Sequence, residues 1–218
     1  MLQLEEAKKL IEKARSINPN VKIVAATKTR TADDINKLLN VGITAMGENR
    51  VQELLEKYDG IKLKEIHFIG ALQTNKVKYI VDKVSMIESL DRTDLADEIE
   101  KRCAKIDKTM DVLIEVNVGA EESKSGCEPE KLFELYQYVS NLKHLRVRGL
   151  MSVLPIGAPE QLYSKMYDLF LKLKSVCDSA DYLSMGMSDD YEIALKCGAN
   201  LIRPGTALFG QRIYQGVN

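Results

Sequence analysis

Eight short apolar runs recur along the chain, each bounded by turn or cap residues, with stretches of helical period between most of them. The runs are residues 21–27, 43–46, 65–69, 84–88, 111–117, 147–151, 182–185 and 200–203. The helix-like stretches are 31–40, 49–58, 91–105, 129–141, 159–177 and 188–197. Strands that alternate with helices pair in parallel, because each helix returns the chain to the starting end of the sheet. Eight such units predict an α/β fold, a single (β/α)8 TIM-type barrel over residues 1–218. The runner-up is an open doubly wound sheet, but no strand here runs into a G-x-G-x-x-G turn.

Local signals agree with the alternation. Thr31-Ala-Asp-Asp34 reads as a capping box, and Ser188 precedes two acids that favour a helix N-terminus. Gly42 and Gly198 fall just past helices, where a left-handed residue is expected. With 45% hydrophobic and 29% charged residues, the 218-residue chain can bury a large core, which excludes disorder as its main state. The 31 basic and 32 acidic side chains leave no broad positive field, so neither nucleic acid nor a membrane surface is an expected partner. Four unpatterned cysteines and two histidines make a zinc cluster improbable and read as reduced thiols in a cytoplasmic protein. The first ten residues start an amphipathic helix rather than a signal peptide, and no run nears the roughly 18 apolar residues of a membrane span. Without a long apolar tail, a monomer is expected.

In such a barrel the active site lies at the C-terminal strand ends. Those ends carry Lys28, Gly47-Glu48-Asn49, Gly70 with Gln73 and Asn75, Glu88-Ser89, Asn117, Met151-Ser152, Gly186-Met187-Ser188 and Arg203-Pro204-Gly205-Thr206. Period two puts Lys22, Val24, Ala26 and Lys28 on one face of the first strand. If that face turns inward, Lys22 reaches out at the bottom and Lys28 stands in the mouth, where desolvation would make it an amine nucleophile. The plainer reading is a lysine that snorkels to water. Gly186 and Ser188 before one helix, and Gly205 after the last strand, form a candidate phosphate cradle at strands seven and eight. Asp189 and Asp190 argue against it unless their side chains point away. A nucleophilic lysine beside a phosphate site suits pyridoxal 5′-phosphate (PLP) and, almost as well, the sugar phosphate of an aldolase.

At this point the sequence resembles a known family. Thr27-Lys28-Thr29, Gly47-Glu-Asn-Arg-Val-Gln-Glu53, His67-Phe-Ile-Gly-Ala-Leu-Gln-Thr-Asn-Lys76, Ser123-Lys-Ser-Gly126, Arg148-Gly-Leu-Met151, Leu183-Ser-Met-Gly-Met-Ser188 and Ile202-Arg-Pro-Gly-Thr206 resemble the pyridoxal phosphate homeostasis proteins. The matches run in order from the first strand to the last. The resemblance implies a PLP-binding barrel of fold type III, related to the N-terminal domain of bacterial alanine racemase. It implies that Lys28 holds PLP as a Schiff base, that Ser188, Gly205 and Thr206 bind the phosphate, and that Arg203 faces the pyridine nitrogen. Asn49 and Met151 complete the implied cofactor-binding set. Two departures stand out: Pro204 replaces an aliphatic residue and removes an N–H, and Ala25-Ala26 stands where Val-Ser is frequent.

The implied function is intracellular PLP homeostasis without turnover, with PLP exchanging with free amino acids or PLP-requiring acceptor enzymes. An arginine at the ring nitrogen disfavours its protonation and weakens the electron sink that many PLP enzymes use. The alternatives are a PLP-dependent racemase or related amino-acid-processing enzyme, an aldolase, and a structural barrel. Racemisation needs a second base; Tyr191 and Tyr214 are available, but nothing in their context marks either. His67 reads as a satisfied core histidine, His144 as loop or helix-end surface, and Lys124 as a surface lysine within reach of the mouth. Cys127, Cys177 and Cys197 have no neighbouring base and read as inert.

Overall fold

The computed structural model describes residues 2–119, 121 and 125–210. A strand overlaps each expected apolar run: β1 Lys22–Ala26, β2 Ala45–Glu48, β3 Glu65–Phe68, β4 Met86–Leu90, β5 Met110–Glu115, β6 Leu145–Met151, β7 Tyr182–Ser184 and β8 Leu201–Ile202. All neighbours pair in parallel, and β8 returns to β1 through Lys22↔Leu201 and Ile23↔Ile202, so the barrel is closed rather than an open sheet. Closure leaves no edge strand to satisfy.

The helices are α1 Leu4–Ile17, α2 Ala32–Asn36, α3 Val51–Lys57, α4 Thr93–Ala104, α5 Leu132–Ser140, α6 Glu160–Lys174, α7 Tyr191–Lys196 and α8 Thr206–Phe209. Between β3 and β4 there is only a 3-10 stretch, Thr74–Tyr79. Thr31 caps α2 by accepting the Asp34 N–H at 3.2 Å, and Gly42 and Gly198 take left-handed φ values of 76° and 94°. These local expectations hold because capping depends only on residues within one turn.

One expected boundary moves. Ser188 does not open α7: residues 188–190 form a turn and the helix starts at Tyr191. Asp190 Oδ1 accepts the Met187 N–H at 2.6 Å, and this tight turn lets Ser188 point across to α8 instead. That short helix, Thr206–Phe209, follows β8 directly.

The main apolar core lies between the strands and the helical ring, with Ile35, Leu54, Phe68, Ile99, Tyr163 and Phe170 among its buried members. The barrel interior holds two small apolar groups, Val24/Ala45/Leu201 and Met86/Leu113/Met151, both touching Tyr182. Alternate residues of the same strands are polar and buried: Glu88, Ser184 and Arg203. An interior that carries buried charge among its apolar residues calls for a polar account of its own. Among the described residues no helix is long and apolar enough to cross a membrane.

Candidate functional site

The turn that presents Lys28 is held from both sides. Thr29 adopts a left-handed φ of 64°, costly for a β-branched residue, and its N–H donates to Glu53 Oε2 at 2.7 Å. Lys57 Nζ donates to the Thr27 carbonyl at 2.9 Å and pairs with the fully buried Glu48. Glu48 also accepts from Thr27 Oγ1 at 3.2 Å and from the Asn49 N–H at 3.1 Å. Burial pushes the Glu48 carboxyl up, and Lys57 opposes that shift. The segment from Gly47 to Glu53 thus acts as a clamp on the end of β1.

Lys28 opens onto a cavity of about 240 Å³ lined by Ala26, Arg30, Met187, Ser188, Asp189, Arg203, Gly205 and Thr206. Ser188 Oγ accepts the Gly205 N–H at 3.1 Å and the Ala207 N–H at 3.0 Å, so a hydroxyl and two amides meet at the start of α8. A Cβ on Gly205 would come within 3.3 Å of Ala26 Cβ and of its carbonyl oxygen, so the cradle depends on a bare α-carbon. Asp190 turns away, its Oδ2 accepting from Tyr163 OH at 2.8 Å, whereas Asp189 lines the cavity. Pro204 lacks an N–H, and its carbonyl accepts the Ala26 N–H at 2.9 Å. Arg30 Nη2 donates to the Gly210 carbonyl at 2.9 Å with its guanidinium over the Phe209 ring. Among the described residues, three cationic side chains, Lys28, Arg30 and Arg203, thus face this cavity against one acid, Asp189. Such a lining suits an anion.

Arg203 is 3% exposed. Its Nη2 donates to the Ser152 carbonyl at 2.9 Å and its Nη1 to Ser184 Oγ, which in turn donates to Glu88 Oε2 at 2.6 Å. Glu88 Oε1 lies 2.6 Å from His67 Nδ1, and His67 Nε2 lies 3.1 Å from Glu65 Oε1. Glu65 pairs with Lys22, whose Nζ also reaches Tyr182 OH at 3.5 Å. Lys22 therefore folds into the barrel floor instead of reaching out, because Glu65 on the third strand offers it a carboxylate. Burial alone would raise the Glu88 carboxyl; His67, Arg203 and Ser184 outweigh it and hold it low. Burial would likewise lower the His67 imidazole, but Glu65 and Glu88 raise it. His67, bonding at both nitrogens, holds Glu65 at about 2, with Lys22 adding to the effect against burial.

Of the seven residues expected at the cofactor site, Lys28, Ser188, Arg203, Gly205 and Thr206 share this one cavity. Met151 does not line it: period two turns its side chain into the barrel against Met86 and Leu113. Asn49 is not among the lining residues either, though its Oδ1 is buried without a hydrogen-bond partner among the described residues. Ser89 Oγ and Glu115 Oε2 share that state. Burial lifts the Glu115 carboxyl to about 7, Asp91 adding to it and Arg203 opposing. Glu115 had a readable signal, since it alternates with Leu113 along β5, but the strand was read only to its end at Asn117. Arg30 had none, because it lies in an irregular segment, and the Ala207 amide had none, because the four-residue α8 is too short to show a helical period.

His67 is the satisfied core histidine expected of it. His144 is not surface: it is half-buried, Nδ1 bonding Glu100 Oε1 at 2.7 Å, because α4 packs against the start of β6. Burial lifts the Cys103 and Cys127 thiols to about 11 and about 12, and raises Cys197. Lys124 and Tyr214 lie outside the described residues. A larger cavity, about 650 Å³, is lined by Arg92, Cys127, Lys131 and Tyr138 among others and shares no residue with the Lys28 cavity.

The family described as "Alanine racemase, N-terminal domain" matches residues 3–213. A pyridoxal phosphate homeostasis protein of Aquifex aeolicus is 46% identical over 97% of this chain and 96% of its own length. One of Haemophilus influenzae is 41% identical over 89% of this chain and 86% of that protein. Among solved structures, PipY of Synechococcus elongatus with PLP bound superposes at a TM-score of 0.83, with 27% identity, covering 94% of this chain and 100% of that one.

Proposed function

The chain belongs to the pyridoxal phosphate homeostasis proteins, within the alanine racemase N-terminal domain family, and from that membership we propose that it holds PLP in the Lys28 cavity for intracellular vitamin B6 homeostasis. The observation that carries this reading is the convergence of an amine, an arginine and a hydroxyl-plus-amide cradle on one small cavity. When bound, PLP supplies an aldehyde that an amine captures reversibly with loss of water. Lys28 is the amine that the clamp of Glu48, Glu53 and Lys57 presents. Ser188, Gly205, Thr206 and the Ala207 amide would hold the phosphate, with Arg30 adding positive charge. Arg203 would face the pyridine nitrogen.

A carrier is favoured over a racemase by what surrounds Arg203. A guanidinium locked to Ser184, Ser152 and Glu88 keeps its charge and opposes ring protonation, so it weakens the electron sink. Among the described residues no tyrosine lines the cavity to serve as an opposing base. PLP would leave Lys28 by exchange with a free amino acid or an acceptor enzyme, in the cytoplasm and from a monomer.

Borohydride reduction of the PLP-loaded protein followed by peptide mapping tests the reading. A pyridoxyl group on Lys28, absent from Lys28→Ala, is the expected result; an unlabelled Lys28 overturns it. Incubation with L-alanine should change optical rotation no faster than free PLP does, and turnover well above that would make the chain a racemase.

A further inference from the structure

The family reading uses Arg203 but leaves unexplained why it ends a run of five charged side chains through the interior of the barrel. In order they are Lys22, Glu65, His67, Glu88 and Arg203, so the formal signs alternate from the floor to the mouth. His67 is the hinge of this chain. Each of its two ring nitrogens faces a carboxylate oxygen, at 2.6 and 3.1 Å, and a ring that donates at both ends carries two N–H groups. Glu88 is fully buried and spends one oxygen on His67 and the other on Ser184, with Arg203 Nη1 3.7 Å away. The other charged or titratable groups that face the chain are Tyr182 from β7, beside Lys22, and Glu115 from β5, beside Arg203 and Glu88.

We propose that His67 and Glu88 are positioning residues for the bound cofactor: the His67 imidazolium anchors Glu88, Glu88 and Ser184 fix the Arg203 guanidinium, and the charge facing the cofactor ring is thereby set from the far side of the barrel. The proposal rests on the reading that PLP sits on Lys28 with its ring nitrogen toward Arg203. Neither residue lines the cavity, so neither touches PLP, and their effect reaches it only through Arg203 and through the field.

Opposite charge changes make the test directional. His67→Gln removes a positive charge from the interior, makes the mouth more negative and favours the protonated form of the Lys28-linked cofactor. Glu88→Gln removes a negative charge and does the reverse. The pH midpoint of the visible absorption band of the loaded protein should rise in His67→Gln and fall in Glu88→Gln, each by about half a unit to one unit. A purely structural role would loosen both proteins without moving the two midpoints in opposite directions. Equal midpoints, or shifts of the same sign, overturn the positioning role while the Lys28 adduct persists. An absent adduct in the parent protein overturns instead the functional reading on which it rests.

Both variants disturb a buried charge chain and could fail to fold. A second measurement needs only the parent fold: nitrogen NMR of 15N-histidine protein, with the two signals assigned through His144→Asn. His67 should carry protons on both ring nitrogens at pH 6.5, where an unperturbed imidazole is only half charged. A neutral ring at that pH overturns the proposal.

Discussion

Gly205 has a φ of −126°, which any residue adopts, so its role is spatial. A methyl there would press on Ala26 at 3.3 Å, where the cradle opens, while leaving the backbone unstrained. Gly205→Ala is expected to weaken PLP binding about tenfold, as read by fluorescence titration, and to cost under about 1 kcal/mol of stability. Unchanged affinity would place the phosphate elsewhere. Gly149 is the contrasting case. Its φ of 140° and a Cβ that would lie 1.8 Å from the Tyr182 carbonyl oxygen tie it to the pairing of β6 and β7. Both glycines sit on strand-end motifs of the sequence, yet only the neighbouring backbone separates a binding glycine from a pairing one.

Elements meet the site through the clamp on the end of β1. Lys57, the last residue of α3, pairs with Glu48 at the end of β2 and donates to the Thr27 carbonyl just past β1, so one side chain joins three elements. Lys57→Ala leaves a fully buried carboxylate without its cation, and the expected loss is about 3–5 kcal/mol in urea unfolding at pH 7. The loss should shrink toward pH 5, where Glu48, already shifted upward, takes up a proton instead. A loss that ignores pH would mean that packing of the lysine stem, not charge, joins the elements. The helix-period signal did reveal α3, and the motif Gly47–Glu53 marked its start. What it could not reveal is which face of α3 meets Thr27, because that contact spans 30 residues of sequence.

Over the whole molecule the buried charges set the pH profile of stability. Glu65 and Glu88 titrate below their unfolded values, so their stabilisation is complete above pH 4.5 and is lost as pH falls through their folded values, about 2 for Glu65. Glu115 titrates above its unfolded value, so stability declines as pH climbs from 4.5 to about 7. His67 is raised, and its contribution, full below 6.5, is lost as pH rises through its folded value. Thermal stability should therefore peak near pH 5 and fall on both sides. Glu115→Gln should flatten the alkaline limb, leaving the variant about 2–3 kcal/mol more stable than the parent at pH 8 and equal to it near pH 4.5. A variant that gains nothing at pH 8 would show that the Glu115 carboxylate is not desolvated as the fold places it.

The eight strands, the caps at Thr31, Gly42 and Gly198, and the gathering of Lys28, Ser188, Arg203, Gly205 and Thr206 at one end were all legible in the chain's order of residues. Periodicity and capping are local, and a closed parallel barrel sends every strand end to the same rim, so a one-dimensional reading suffices for them. The helix start at Tyr191, the inward burial of Met151, the service of Arg30 and the run of charge from Lys22 to Arg203 were not legible. Each depends on which side chains meet across strands distant in sequence, such as Glu88 and Ser184, 96 residues apart. Partners of that kind are chosen by the stagger and closure of the barrel, and only the folded chain brings them within hydrogen-bonding distance.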